Sequence, residues 1–371
     1  MTDQISKWRN YFSDNISTEF RLLINLLEYN RNSYLSRPDD FSIERFIKLL
    51  SRHRIRPFIL EYLDDLKQIL SDKEVDYLKK ICQPYVIQQM KLTQVKFQVI
   101  EKFNTSRIKV IPFKGPLLSK KLYGSYTIRE SIDLDLLIQP SDLIPADRVL
   151  RKDGFTSEFD IRYLKDWNLR WFQRKAPDIC YYRNSDKVKI ELHWKLFEQP
   201  YLINNSHEHV FDQSVLKSLP TLEFNELNVV DEFYYLIVHG NKHSWFRIKW
   251  LLDIKQIITT NESLNWLVIS NLFKKKNKYH LLLSSLYIVS IVFNVPMPTA
   301  IDSNYKLNDK STYSLVEESM KNIIDENLIA DPNTRLKIFK RLDYNFKGLI
   351  AFLTNSLVDQ KDIFRFRLPN Y

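Results

Sequence analysis

The spacing of apolar residues changes twice along this chain of 371 residues. Up to about residue 105 they recur three and four apart, at Ile108 the spacing becomes that of strands, and from Val229 the helical period returns. A chain patterned in this way has to set a small strand-bearing block between two helical regions. The expectation is therefore an α+β fold divided at 1–105, 106–225 and 226–371.

In the first region the period predicts helices over 8–20, 20–29, 43–50, 57–70 and 73–103, with Asp40 or Ser42 and Ser71 as N-caps. The middle block reads as a strand over 108–113, a helix over 116–123 closed by Gly124, and a strand over 132–138. A helix from Ser141 to Leu150, ended by Gly154, and a hairpin of 179–183 and 187–196 turning at Asn184-Ser185-Asp186 complete it. The last region predicts helices over 229–241, 248–259, 264–273 and 279–293, the last stopped by Pro296 and Pro298. Two more follow Ser311, before a basic, aromatic tail of Phe364-Arg365-Phe366-Arg367.

Composition removes several function classes. Five glycines, at 115, 124, 154, 240 and 348, assemble neither G-x-G-x-x-G nor a Walker A loop. Cys82 and Cys180 are too few and too far apart for a disulfide framework or a thiolate zinc site, and read as free, buried thiols. The polar start lacks a signal-peptide core, and the longest uncharged run, 281–295, is too short to span a bilayer, so a cytoplasmic protein with no membrane partner is expected. A net charge of +10 suits an anionic partner, while the compact cluster at Lys274, Lys275, Lys276 and Lys278 reads as solvated surface. No serine has the context of a nucleophile elbow and neither cysteine neighbours a histidine, so hydrolase chemistry has no support.

The chemistry-bearing residues gather in the middle block. On a strand, Asp133 and Asp135 share one face and can converge on one cation, while Leu134 and Leu136 turn to the core. Carboxylates in so apolar a context need compensation, either by a cation or by an arginine such as Arg129. Glu191 adds a third acid in the apolar stretch Val188-Lys189-Ile190-Glu191-Leu192, and three such oxygens with phosphate and water satisfy octahedral Mg²⁺. Gly115 opens a helix whose free N–H groups favour an anion, and Lys114 adds a point charge beside it. His193, two residues after Glu191, is expected on the same strand face, touching phosphate or orienting a carboxylate. His239, His243, Arg247 and Asp253 are expected to continue one helical face toward triphosphate or acceptor; His-x₃-His is also zinc spacing but lacks the glutamate of H-E-x-x-H. His207-Glu208-His209 reads as a solvated loop, and Trp194, Trp245 and Trp250 as core or cleft walls.

The order of these parts resembles the polymerase-β-like nucleotidyltransferase superfamily. More closely, Phe113-Lys114-Gly115, Leu118, Tyr123, Arg129, Asp133-Leu134-Asp135-Leu136-Leu137, Gly154-Phe155, Ile190-Glu191-Leu192-His193-Trp194 and the stretch from His239 to Asp253 resemble an uncharacterised nucleotidyltransferase family with an L-K-G start and a later E-L-H-W. His53-Arg54-Ile55-Arg56-Pro57 extends the likeness into the N-terminal helices. The chain departs from the superfamily where Gly-Ser usually follows the first strand: Lys114-Gly115-Pro116 stands there, as in the Gly-Gly-Thr and R…D-x-D arrangement of abortive-infection type toxins.

The resemblance implies a small mixed-sheet core flanked by helices, moving an NMP from an NTP such as ATP to a hydroxyl-bearing acceptor of the small-molecule, peptide or RNA class. It implies Mg²⁺, or Mn²⁺, on Asp133, Asp135 and Glu191 as catalytic acids. Phosphate contacts would come from Lys114, Gly115, Arg129, His193, His239, His243 and Arg247. Two alternatives stay open: a toxin-like transferase adding nucleotides to tRNA, and a catalytically inactive nucleotide-binding or scaffold protein.

Overall fold

The structure, a computed structural model, describes residues 2–28, 36–197, 207–220, 222–260, 264–301 and 309–329, with 331, 337 and 342 singly. It is an α+β protein of two compact units. One, the helical unit, comprises Met1–Gln88, Leu122–Glu130 and Glu232–Leu342; the other, the sheet unit, comprises Gln89–Lys121, Ser131–Asp231 and Asp343–Tyr371, the last outside the described residues. The aromatic tail at 364–367 lies there too.

The sheet unit is built on β1 (Val110–Phe113), β2 (Leu134–Ile138), β3 (Asp178–Arg183) and β4 (Val188–His193), in the order β1-β2-β4-β3. β1 runs antiparallel to β2, β2 parallel to β4, and β3 antiparallel to β4. All five residues of β2 are buried, the pattern of a central strand covered on both faces, and its run of Leu134, Leu136, Leu137 and Ile138 explains why it sits there. The helix Gly115–Tyr123 follows β1, and the helices Leu143–Lys152 and Asp166–Lys175 lie in the crossover from β2 to the β3–β4 hairpin. The second of these was not predicted; its sequence is largely polar and buries only Phe172. A second, two-stranded hairpin of β5 (Val215–Leu219) and β6 (Leu222–Glu226) was also not predicted; β5 is largely exposed and lacks the alternation of a half-buried strand.

The helical unit is centred on the helix Tyr279–Phe293, in which every residue but His280 is buried. A helix apolar on all sides has to be surrounded, and here Thr2–Asp14, Thr18–Leu27, Ile248–Thr260, Trp266–Lys275 and Lys310–Ile324 pack on it. Its three serines do not interrupt it: Ser284 and Ser285 donate to the carbonyl of Leu281, and Asn241 donates to Ser285 at 2.8 Å. The first two helices break where Ser17 caps the second by accepting from Phe20 N. The 34-residue helix Asp72–Thr105 contributes its first part to this unit and, from Gln89, its second part to the sheet unit. No helix among the described residues is long and apolar enough to cross a membrane.

Candidate active site

Strand register assembles the acidic corner. Asp135 and Glu191 are direct partners on the adjacent parallel strands β2 and β4, with Phe113 opposite Asp135 on β1. Asp133 lies two residues earlier than Asp135 and projects with it, and His193 follows Glu191 at the same spacing. Donor atoms of Asp135, Glu191 and His193 all lie within 4.8 Å of one another, a grouping able to hold a metal ion. Asp133 stands beside it, its carboxylate 3.8 Å from the Lys189 ammonium.

Cations oppose this negative charge. Lys114 Nζ donates to Asp135 Oδ1 at 3.1 Å, and Lys189 pairs with Glu191. His193 Nε2 lies 3.4 Å from Asp135 and 3.7 Å from Glu191, and its Nδ1 lies 3.7 Å from Asp178. Burial would depress the imidazole, but Asp135 and Glu191 outweigh it and raise it to about 9. The ring sits between these carboxylates with Phe113 edge-on at 5.1 Å. Burial would raise Asp135, yet Lys114, His193 and Lys96 hold it well below the usual carboxylate range. Glu191 is likewise burdened by burial but falls to about 2, through His193 and Lys189. Asp133 goes the other way: burial and then the charges of Asp135 and Glu191 push it up.

The turn into the helix Gly115–Tyr123 is built from two successive left-handed residues, Lys114 at φ 56° and Gly115 at φ 62°. A Cβ on Gly115 would sit 3.3 Å from Lys96 Nζ, so the glycine leaves room for a buried lysine whose ammonium donates to the Lys114 carbonyl at 3.2 Å. Lys96 and Lys189 are site cations that the sequence reading passed over. The signal was present for Lys96: it stands among buried Leu92, Val95, Val99, Ile100 and Phe103, on the apolar stripe of its helix.

The model of a family described as uncharacterised nucleotidyltransferase matches residues 39–294, well over half of the chain. The chain belongs to that family. It is accordingly an enzyme of nucleotidyl-group transfer, and its substrate class is the NTP. No curated protein matches it. The family span covers both the acidic corner and much of the helical unit.

The remaining candidates belong to the helical unit. Arg129 Nε donates to both oxygens of Asp253, at 3.0 and 2.9 Å, and Tyr123 donates to Asp253 at 3.0 Å. The face expected to run from His239 to Asp253 does not exist as one helix. The helix Val229–Lys242 ends before His243, Ser244 and Trp245 both take left-handed backbone, and a new helix starts at Ile248. The break follows from packing: Trp245 folds back so closely on Gly240 that a Cβ there would lie 2.2 Å from its ring. His239 stacks on Tyr235, and His243 stacks on Trp250 and meets Asp331 at 2.5 Å. Arg247 donates to the Ile329 carbonyl at 3.4 Å. Trp194 and Trp245 are fully buried core residues. The side chains of His207 and His209 lie outside the described residues. Of the two thiols, Cys82 is buried, its thiol pushed up to about 12 by burial, and Cys180 is half-buried.

Proposed function

We propose that this nucleotidyltransferase moves a nucleoside monophosphate from an NTP to an acceptor hydroxyl, using Mg²⁺ held by Asp133, Asp135 and Glu191. The observation that carries the reading is the pairing of Asp135 with Glu191 on β2 and β4, with Asp133 two residues before Asp135 and pushed up by burial and then by the charges of both. Hard oxygen donors suit magnesium better than an imidazole nitrogen does. His193 fits better as a counter-charge that holds the two carboxylates in place. When bound, the cation neutralises charge on the triphosphate and lowers the pKa of the attacking hydroxyl.

The chain's own residues supply the rest. Glu191, held low by His193 and Lys189 against the burial that would raise it, is a carboxylate suited to holding positive charge. Lys114 and the N-terminus of the helix Gly115–Tyr123 offer a point charge and free N–H groups to phosphate oxygens. The acceptor oxygen bonds to the α-phosphorus, the bond to pyrophosphate breaks, and the acceptor's proton passes to solvent. The test is pyrophosphate release from each of four NTPs with Mg²⁺, with and without cell extract as acceptor source. Release is expected to require Mg²⁺ and to vanish in Asp135→Asn; release that persists in that folded variant overturns the assignment.

A further inference from the structure

The helix Asp72–Thr105 sends two buried polar side chains, Gln89 and Lys96, into the sheet unit. Two turns separate them, about 10 Å along the axis, so they lie in line on one face. Gln89 grips Ser131 twice: its Nε2 donates to the Ser131 carbonyl at 2.9 Å, and its Oε1 accepts from the Ser131 N–H at 3.0 Å. Ser131 is itself buried and stands two residues before Asp133. Lys96 reaches the turn before the helix Gly115–Tyr123, donating to the Lys114 carbonyl at 3.2 Å. A Cβ on Gly115 would lie 3.3 Å from that ammonium and 3.8 Å from the Asp133 carbonyl oxygen, so the lysine, the turn and the strand of acids meet at one point.

Packing does not call for a charge here. Lys96 is fully buried near Leu92, Val95, Val99 and Ile100, where a methionine would fill the space without the cost of burying an ammonium. What methionine lacks is the N–H that takes the Lys114 carbonyl. In a planar trans peptide the carbonyl of Lys114 and the N–H of Gly115 point in opposite directions, so the lysine that draws the one toward itself turns the other away, as the first donor of its helix. The two successive left-handed residues of this turn are a shape that persists only where the surroundings hold it. The charge of Lys96 also helps to keep Asp135 low.

We propose that Lys96 is a positioning residue for the triphosphate: without touching the nucleotide, it sets the turn Lys114–Gly115 so that the Lys114 ammonium and the N–H of Gly115 are presented to phosphate. The inference rests on the function proposed for that turn. Gln89 adds to it, because its grip on Ser131 refers the strand of Asp133 and Asp135 to the same rigid helix as the turn.

The test is calorimetric titration of the full chain, without acceptor, with each of the four NTPs and its nucleoside. Lys96→Met and Lys96→Gln both remove the ammonium, and either one that folds decides. Each should weaken NTP binding about tenfold while nucleoside binding and the urea midpoint stay at or above their wild-type values. Because the lysine acts through the turn, Lys96→Met on a Lys114→Ala background should cost less than about threefold more. Wild-type NTP affinity in the folded variants overturns the proposal, as does an equal loss for nucleoside or a full tenfold loss repeated on the Lys114→Ala background. Failure of both variants to fold would make Lys96 a residue of the fold and overturn it too. Lys114→Ala separates the two readings: unchanged NTP binding there removes the turn from phosphate and takes both down. A loss there with none in folded Lys96→Met overturns the role of Lys96 alone.

Discussion

Each unit buries a cluster of charge, and the two clusters are settled differently. In the helical unit the acids are saturated: Asp253 and Glu130 each give both oxygens to one arginine, and it is the cations that are left crowded. In the sheet unit Lys114 and His193 meet Asp135, Lys189 and His193 meet Glu191, and it is an acid, Asp133, that burial and like-charged neighbours push up. The two-pronged grip of Arg56 on Glu130 and the Arg129 nitrogen shared by both Asp253 oxygens read as structure. Like charges left crowded at the acidic corner suit the cation proposed for it.

The contrast is broken most directly at its acidic end. Asp135→Asn should lower Mg²⁺-dependent pyrophosphate release by about a thousandfold or more, since losing a metal's charge stabilisation costs several kcal/mol of barrier. Circular dichroism should show the fold intact. A variant that keeps a tenth of the wild-type rate would make the corner structural, like the pairs of the helical unit.

The next largest effect is expected on stability. Asp253→Asn leaves Arg129 buried without its carboxylate and should cost about 3 kcal/mol or more, read from urea unfolding. A cost below about 1 kcal/mol, the range of exposed pairs, would show that this pair is not the complete unit described. Lys114→Ala should weaken NTP binding about tenfold while leaving nucleoside binding nearly unchanged, measured by calorimetry. Equal losses for the two ligands would remove Lys114 from the phosphate.

The smallest effect sharpens the basic side through pH. Lys249 has its folded pKa held below 10.5, so between the two values the unfolded chain binds more protons and stability rises with pH. Lys249→Met removes this dependence and should gain about 1 kcal/mol at neutral pH. The gain should shrink toward nothing as pH approaches 10.5, followed by Tm across the range. A gain that does not change with pH would attribute it to packing rather than charge.

Much of this arrangement could be read from residue spacing. The helix Tyr279–Phe293 begins and ends where the period does, and the alternation around Asp133 and Asp135 defines β2 and the face on which the acids meet. Local pattern carries such features because they depend on neighbours in sequence. The partner of Arg129 was hidden for the opposite reason, since Asp253 lies 124 residues away and only tertiary packing brings them together. The break after Lys242 was hidden because histidine, serine and tryptophan at 243–245 are not turn-forming residues as a set; the close seat of Trp245 on Gly240 imposes it. Lys96 was legible and overlooked, a charged residue in an apolar stripe.

The central helix also has a consequence for how the chain is made. Arg9 donates to the carbonyl of Ser290 at 2.7 Å across 281 residues, and the helix Thr2–Asp14 packs on Tyr279–Phe293. At roughly 5–20 residues per second of synthesis, the first helix waits on the order of tens of seconds for the helix it packs on. The strands of the sheet unit are all translated within that interval. On the ribosome, then, the apolar face of Thr2–Asp14 stays without the helix it packs on until residues 279–293 have been made.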